Sequence, residues 1–383
     1  MKRIYLPLLA FLVAVPAAAA LDRAQTQALV RLAQSASGLH ARKPVRVVFE
    51  QPAPFARRRI RLLDRGYPRA AREHDETVYR ALGLLAGDKG VLRRTLIELE
   101  DRRGLYDPVA RTAYVRKGAG ERAAALHEIV HALQDQRHDL RRLARLPGGR
   151  DAARAATAVV DGHASLVADV LARRPASRGG SRLTRFLELE RGFASAVGTR
   201  FAADLRNLGG NRALLGALAR LPATSEQVFH LDKYLERERA APIVLPTQAA
   251  GLALASDETF GELDVRALLA VFGVPRLDRV GSGWGGGRSA VYGDGDAQAV
   301  LVALGWDTEL DAGEWAEAAA LYVDEAFDAA APGLPAPVAC DADVCWDLGG
   351  TRIAFAREGV RTGLALAATV DAAAELATAS VGR

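Results

Sequence analysis

Two histidines four residues apart, with a glutamate directly after the first, constrain this chain more than any other feature. They lie in ALHEIVHALQDQ, residues 125–136, and account for two of the chain's seven histidines. In a helix, positions i and i+4 share a face, so His127 and His131 point the same way. Leu126, Ile129, Val130 and Leu133 surround them, and the spacing predicts a buried helix over 121–138. Buried imidazoles need partners. The alternative to a metal is a pair of satisfied core histidines. Two imidazoles on one face with a carboxylate beside them favour the metal.

The stretch reads H-E-x-x-H. Two imidazoles at this spacing can hold zinc (Zn2+) at ~2.0–2.1 Å. Glu128 then stands where it can take a proton from an attacking water. A catalytic zinc takes three protein ligands and keeps one position open. VVDGHASLVAD, residues 159–169, offers Asp161 and His163. Two apart on a helix is roughly 200°, so only one can face the metal. Asp161 shares its face with Ala164, Ser165 and Ala168, small residues that let this helix approach the zinc helix, with Gly162 allowing more. His163 lies with Val159, Val160, Leu166, Val167 and Val170. Asp161 is the favoured third ligand and His163 its alternative.

With these residues the chain resembles the gluzincin branch of zinc metallopeptidases. HALQDQ after the motif resembles a poorly characterised group of exported bacterial proteins. The resemblance covers about residues 75–240. The family's third ligand is normally Glu, whereas this chain has Asp161, one methylene shorter. The resemblance implies an edge strand beside the cleft, for which Tyr106 to Val115 is the candidate, and a substrate that pairs with it. Asp135, one turn past His131, is either a hydrogen-bond partner of a ligand imidazole or a surface charge. His230 and Tyr234 in TSEQVFHLDKY, four apart on a helix, are candidate donors to the developing oxyanion, with Arg288 a more distant one. His40, His74 and His138 read as surface residues.

The first residues, MKRIYLPLLAFLVAVPAAAALDR, combine Lys2 and Arg3, an apolar run from Leu6 to Val15, and Ala18-Ala19-Ala20. This is the pattern of a signal peptide over 1–20, cut near Ala20. The rival, a retained anchor, requires about 20 apolar residues. The expectation is an exported protein, periplasmic or secreted, with no stable membrane span after cleavage. The net charge of +5 falls to +3 without Lys2 and Arg3, which makes no case for nucleic acid. Arg57-Arg58-Arg59-Ile60-Arg61 reads as a solvated face or loop. Cys340 and Cys345, an even pair in an exported chain, predict a disulfide. GSGWGGGRS lacks the Gly-Lys-Ser/Thr ending of a phosphate loop.

Periodicity predicts helices over 22–37, 69–86, 91–102, 121–138, 151–173, 183–206 and from Thr224, with strands at 45–50 and 112–115. After residue 242 the pattern changes. A helix over 257–272 is followed by strand–strand–helix, twice. The fold class expected is α+β: a mainly helical zincin-like domain over 21–242 with a small edge sheet, then a smaller α/β part over 243–383. The function expected is zinc-dependent hydrolysis of a peptide or protein substrate by a Glu128-activated water. The motif specifies water activation and not the bond, so a hydrolase of non-peptide amides is a rival. A non-catalytic binding protein with a vestigial metal site is another, against which intact Glu128 counts.

Overall fold

The computed structural model describes residues 21–99, 101–168, 180–294, 297–327, 336–348 and 350–383. The signal peptide expected over 1–20 lies outside them. Helix α1 (Arg23–Ser37) starts at a capping box of Asp22 and Gln25 and stops where Gly38 turns left-handed. Strand β1 (Arg46–Glu50) leads through α2 (Pro52–Gly66), α3 (Arg69–Ala81) and α4 (Val91–Leu99) to β2 (Gly104–Asp107) and β3 (Thr112–Arg116). Three helices separate β1 from β3, long enough for the crossover that parallel pairing requires. The sheet order is β1-β3-β2, with β1 parallel and β2 antiparallel to β3. The expected edge strand over 106–115 is therefore a hairpin. Of its two strands β2 is an edge and β3 is central.

Helix α5 (Glu121–His138) packs on this sheet and against α6 (Gly149–Ala168). Next come α7 (Arg182–Gly192), a π turn at Phe193–Val197, α8 (Gly198–Ala219), α9 (Ser225–Phe229) and α10 (Leu231–Glu236). The single helix expected over 183–206 is thus broken by the π turn. A Cβ on Gly162 would lie 2.1 Å from the Gly198 carbonyl oxygen, and one on Gly198 would lie 2.2 Å from that of Ala158. The backbones of α6 and α8 touch there. Gly162 accordingly serves the approach to α8, not the approach to the zinc helix expected from the sequence.

The rest of the chain forms β4 (Gln248–Ala249), β5 (Leu252–Thr259), α11 (Glu262–Val271), α12 (Leu277–Ser282), β6 (Trp284–Asp294), β7 (Ala297–Trp306), α13 (Glu309–Phe327), β8 (Val344–Asp347), β9 (Arg352–Glu358), β10 (Arg361–Ala367) and α14 (Val370–Val381). The seven strands run β4-β5-β6-β7-β10-β9-β8, each pair antiparallel. The expected α/β part is therefore also α+β. Asp257–Thr259, read as helix from sequence, close β5. Hairpins β6–β7 and β9–β10 meet through β7 and β10, the repeat seen in the sequence. Their following helices cover opposite faces. α13 packs Trp315 on the side of Val300, Val302 and Trp306; α14 packs Leu376 and Ala377 on the side of Ala299, Leu301 and Ala303. Burial on both faces explains the unbroken apolar run of β7. Cys340 and Cys345 form the expected disulfide.

The larger core joins Tyr79, Leu82, Leu92 and Phe186 to Val291, Trp306 and Trp315, so it crosses residue 242. A polar seam crosses it too, from the N-terminal half of α6. Arg150 pairs with Asp75, and Arg154 with Asp264 at 2.7 Å. Asp151 accepts from the Ser225 amide at 2.8 Å, and burial pushes its carboxyl up to about 6. His74, expected at the surface, is buried between Ser256 and Ser289. Half-buried His138 also departs from that expectation, while His40 is exposed. In the arginine cluster, Arg58 is no solvated side chain: it pairs with Glu50 and lies 3.5 Å over the Tyr114 ring. Among the described residues no helix is long and apolar enough to cross a membrane.

Gly162→Ala places a methyl group into backbone with no space to yield. Thermal or chemical denaturation should show a loss of about 3 kcal/mol, the upper end of ordinary overpacking. A loss near zero would mean that the α6–α8 contact is looser than described.

Candidate metal centre

Gly120, left-handed at φ 79°, opens α5, and Glu121 in its first turn accepts from the amides of Leu21 and Gly118. Ile129, Val130 and Leu133 are buried in the core shared with Val159, Phe201 and Leu205. That seating turns His127 and His131 toward α6. Their rings meet edge to face, centroids 4.7 Å apart. The two Nε2 atoms are 3.0 Å apart. Asp161 Oδ1 lies 3.2 Å from that of His127 and 3.7 Å from that of His131.

These spacings test whether a metal fits. Bonds of 2.0–2.1 Å around a tetrahedral zinc put neighbouring ligand atoms about 3.4 Å apart, and the three separations bracket that value. The donor set, two imidazoles and a carboxylate, suits zinc. The side chains retain 16%, 12% and 14% exposure, so one side of the cluster is open. Burial by itself would raise the Asp161 carboxyl. Hydrogen bonds from His127 and His131 outweigh it and hold that group well below the usual carboxylate range. His131 is shifted the other way: burial lowers it, but Asp161, Glu128 and Gln134 together raise it.

Glu128 is buried beneath β2. A Cβ on Gly104 would fall 2.6 Å from Glu128 Oε1 and 2.5 Å from its Cγ. The missing side chain of the edge strand is therefore the seat of the carboxylate. Gly104 was not singled out in the sequence, because its need appears only when β2 crosses α5.

Gln134 is the other residue that spacing did not reveal. It is fully buried, and its Oε1 lies 2.8 Å from His131 Nδ1. The signal available was an amide on a buried face, three residues from a ligand. Asp135, the sequence candidate for this task, instead accepts from the Tyr106 hydroxyl at 2.8 Å and the Leu140 amide at 2.7 Å. His163 stands apart from the three-residue cluster. Its Nδ1 is 3.1 Å from Gln134 Nε2, and burial lowers the ring to about 4, which leaves it neutral.

His230 sits between α9 and α10 in extended backbone, so it does not share one helix face with Tyr234 as expected. Its Nε2 meets Glu262 Oε1 at 3.0 Å. The Tyr234 hydroxyl donates to the Arg220 carbonyl at 2.9 Å. Arg288 pairs with Asp257. A second acidic group, Glu226, Glu238 and Asp307, surrounds the Lys233 ammonium, which supplies the positive charge those carboxylates need.

Residues 251–377 match the family model described as Domain of unknown function (DUF8575). The match takes in β5 to β10 of the larger sheet and begins far in sequence after His127, Glu128, His131 and Asp161. No curated protein and no solved structure matches the chain.

Mass spectrometry of the purified protein should find about one zinc per chain in the wild type, the stoichiometry of a three-ligand site, and none in His127→Ala or Asp161→Ala. Zinc competes with protons for the imidazoles. Because the metal-free cluster holds the proton of His131 more tightly than an ordinary imidazole does, uptake should weaken as pH falls and begin to do so at a higher pH than an ordinary imidazole would set. Equal zinc affinity at pH 5.5 and pH 8, on either side of the ordinary imidazole value of about 6.5, would remove both His127 and His131 from the ligand set.

Proposed function

We propose that this chain is an exported zinc-dependent peptidase of zincin-like architecture, acting on peptide or protein substrates. The observation that supports it is the convergence of three donor atoms within 4.8 Å beside the buried carboxylate of Glu128. His127, His131 and Asp161 would hold the ion. When bound, zinc supplies Lewis acidity that polarises a carbonyl and makes a nearby water a stronger acid. Glu128 takes the proton of the attacking water on its carboxylate and delivers it to the leaving amine. Gly104 leaves the room in which that carboxylate sits. The open side of the cluster admits the substrate, and β2 offers main-chain groups along which an extended peptide can lie. His230 and Tyr234, bonded elsewhere, have no part in the chemistry on this reading. The segment over 1–20 would direct export to the periplasm or beyond.

A peptide-library digest with the mature protein tests the reading. Glu128→Gln should keep zinc and lower turnover by about 10²–10⁴, the usual weight of a general base. Undiminished cleavage would sink the mechanism. Cleavage of non-peptide amides alone would keep the chemistry and change the substrate. Gly104→Ala should likewise retain zinc, lower kcat and leave KM nearly unchanged. An unaltered kcat would show that Glu128 does not depend on that seat.

A further inference from the structure

Behind His131 the hydrogen bonds continue inward, and each step has one direction. Gln134 Nε2 donates to the Val160 carbonyl at 2.9 Å. That identifies the nitrogen end of the amide, so Oε1 is the end that faces His131 Nδ1 at 2.8 Å. An amide oxygen only accepts, so His131 Nδ1 carries its proton there. The second Nε2 proton points to His163 Nδ1 at 3.1 Å, which therefore accepts. His163 also bonds the Ser37 backbone, and with Nδ1 accepting, the ring's remaining proton is the one to donate there. Gln134, His163 and Ser37 are all buried. Reversing any one link would leave a buried donor facing a donor or a buried acceptor facing an acceptor, at a cost of about 1–3 kcal/mol.

We propose that Gln134 and His163 form a positioning relay for the metal centre, which keeps one proton of His131 on Nδ1 and leaves Nε2, the nitrogen that faces His127 and Asp161, as the one that gives up its proton to a metal. The relay rests on the reading of that cluster as a zinc site. It also gives His163 a task other than ligation. The chain ties the ligand to the end of α1, an element that contributes no ligand. Outer partners of ligating histidines commonly tune affinity in this way.

The test uses the mature chain, with zinc affinity measured by competition against a chromophoric chelator and the melting of each metal-free variant measured in parallel. Gln134→Ala should weaken zinc binding by about 10–100-fold, the usual effect of losing such a partner. His163→Leu should weaken it by about 10-fold, and the double variant should be no weaker than Gln134→Ala alone, because both remove one relay. His163→Asn keeps an acceptor where Nδ1 stood and should stay within about threefold of wild type. Unchanged affinity in Gln134→Ala overturns the relay and leaves the zinc site standing. His163→Asn failing as badly as His163→Leu overturns it as well, since the acceptor would not be what matters. A wild type that takes up no zinc overturns both readings. Should the variants not fold, nitrogen NMR of the zinc-loaded wild type decides: a protonated Nδ1 on His131 supports the relay, and a bare Nδ1 overturns it.

Discussion

The contact of α6 with α8 at Gly162 and Gly198 sets the depth at which Asp161 meets His127 and His131. Asp161 is the neighbour of Gly162, so any side chain there would push the carboxylate away with its helix. Asp has a short side chain, and its reach to two imidazoles depends on helix placement more than a glutamate's would. The N-terminal half of α6 is held as firmly by different means. Arg150, Asp151 and Arg154 tie it to Asp75, Ser225 and Asp264. One helix thus carries the third donor at one end and the polar seam at the other.

The seam gives the C-terminal sheet a physical connection to the candidate metal centre. Asp264 opens α11, and Glu258 and Thr259 close β5, within the segment that matches the family model. They bind α6 directly. The apolar core repeats the relation, since Tyr79 and Phe186 pack among Val291 and Trp315. Charge pairs this deeply buried contribute little net stability, but losing one partner strands the other in a medium that solvates it poorly. The seam therefore specifies a relative placement of the two parts more than it stabilises them.

Much of the candidate site was legible in order along the chain. His127 and His131 need only the repeat of one helix, and Asp161 needs the small residues that share its face. Other elements were read imperfectly for reasons of the same kind. His74 looks like a surface residue until Ser256 and Ser289, 182 and 215 residues away, close around it. His230 and Tyr234 match a helical spacing, yet the chain bends between α9 and α10. The run 257–272 hides the end of a strand, because apolar residues at short range serve either period. The two strand–strand–helix units share a pattern, and only the sheet order shows that their helices lie on opposite faces.

The sequence by itself determined the local chemistry: the pair of imidazoles, the adjacent carboxylate, the acidic residue on a helix with a small-residue face, and the paired cysteines. Each depends on groups a few residues apart, whose relation the backbone period dictates. Tertiary structure alone decided that Gly104 would make room for Glu128, that Gln134 rather than Asp135 would hold His131, and that His163 would stand behind the cluster instead of in it. Those outcomes depend on which segments cross, and at what distance, and no local period carries that information.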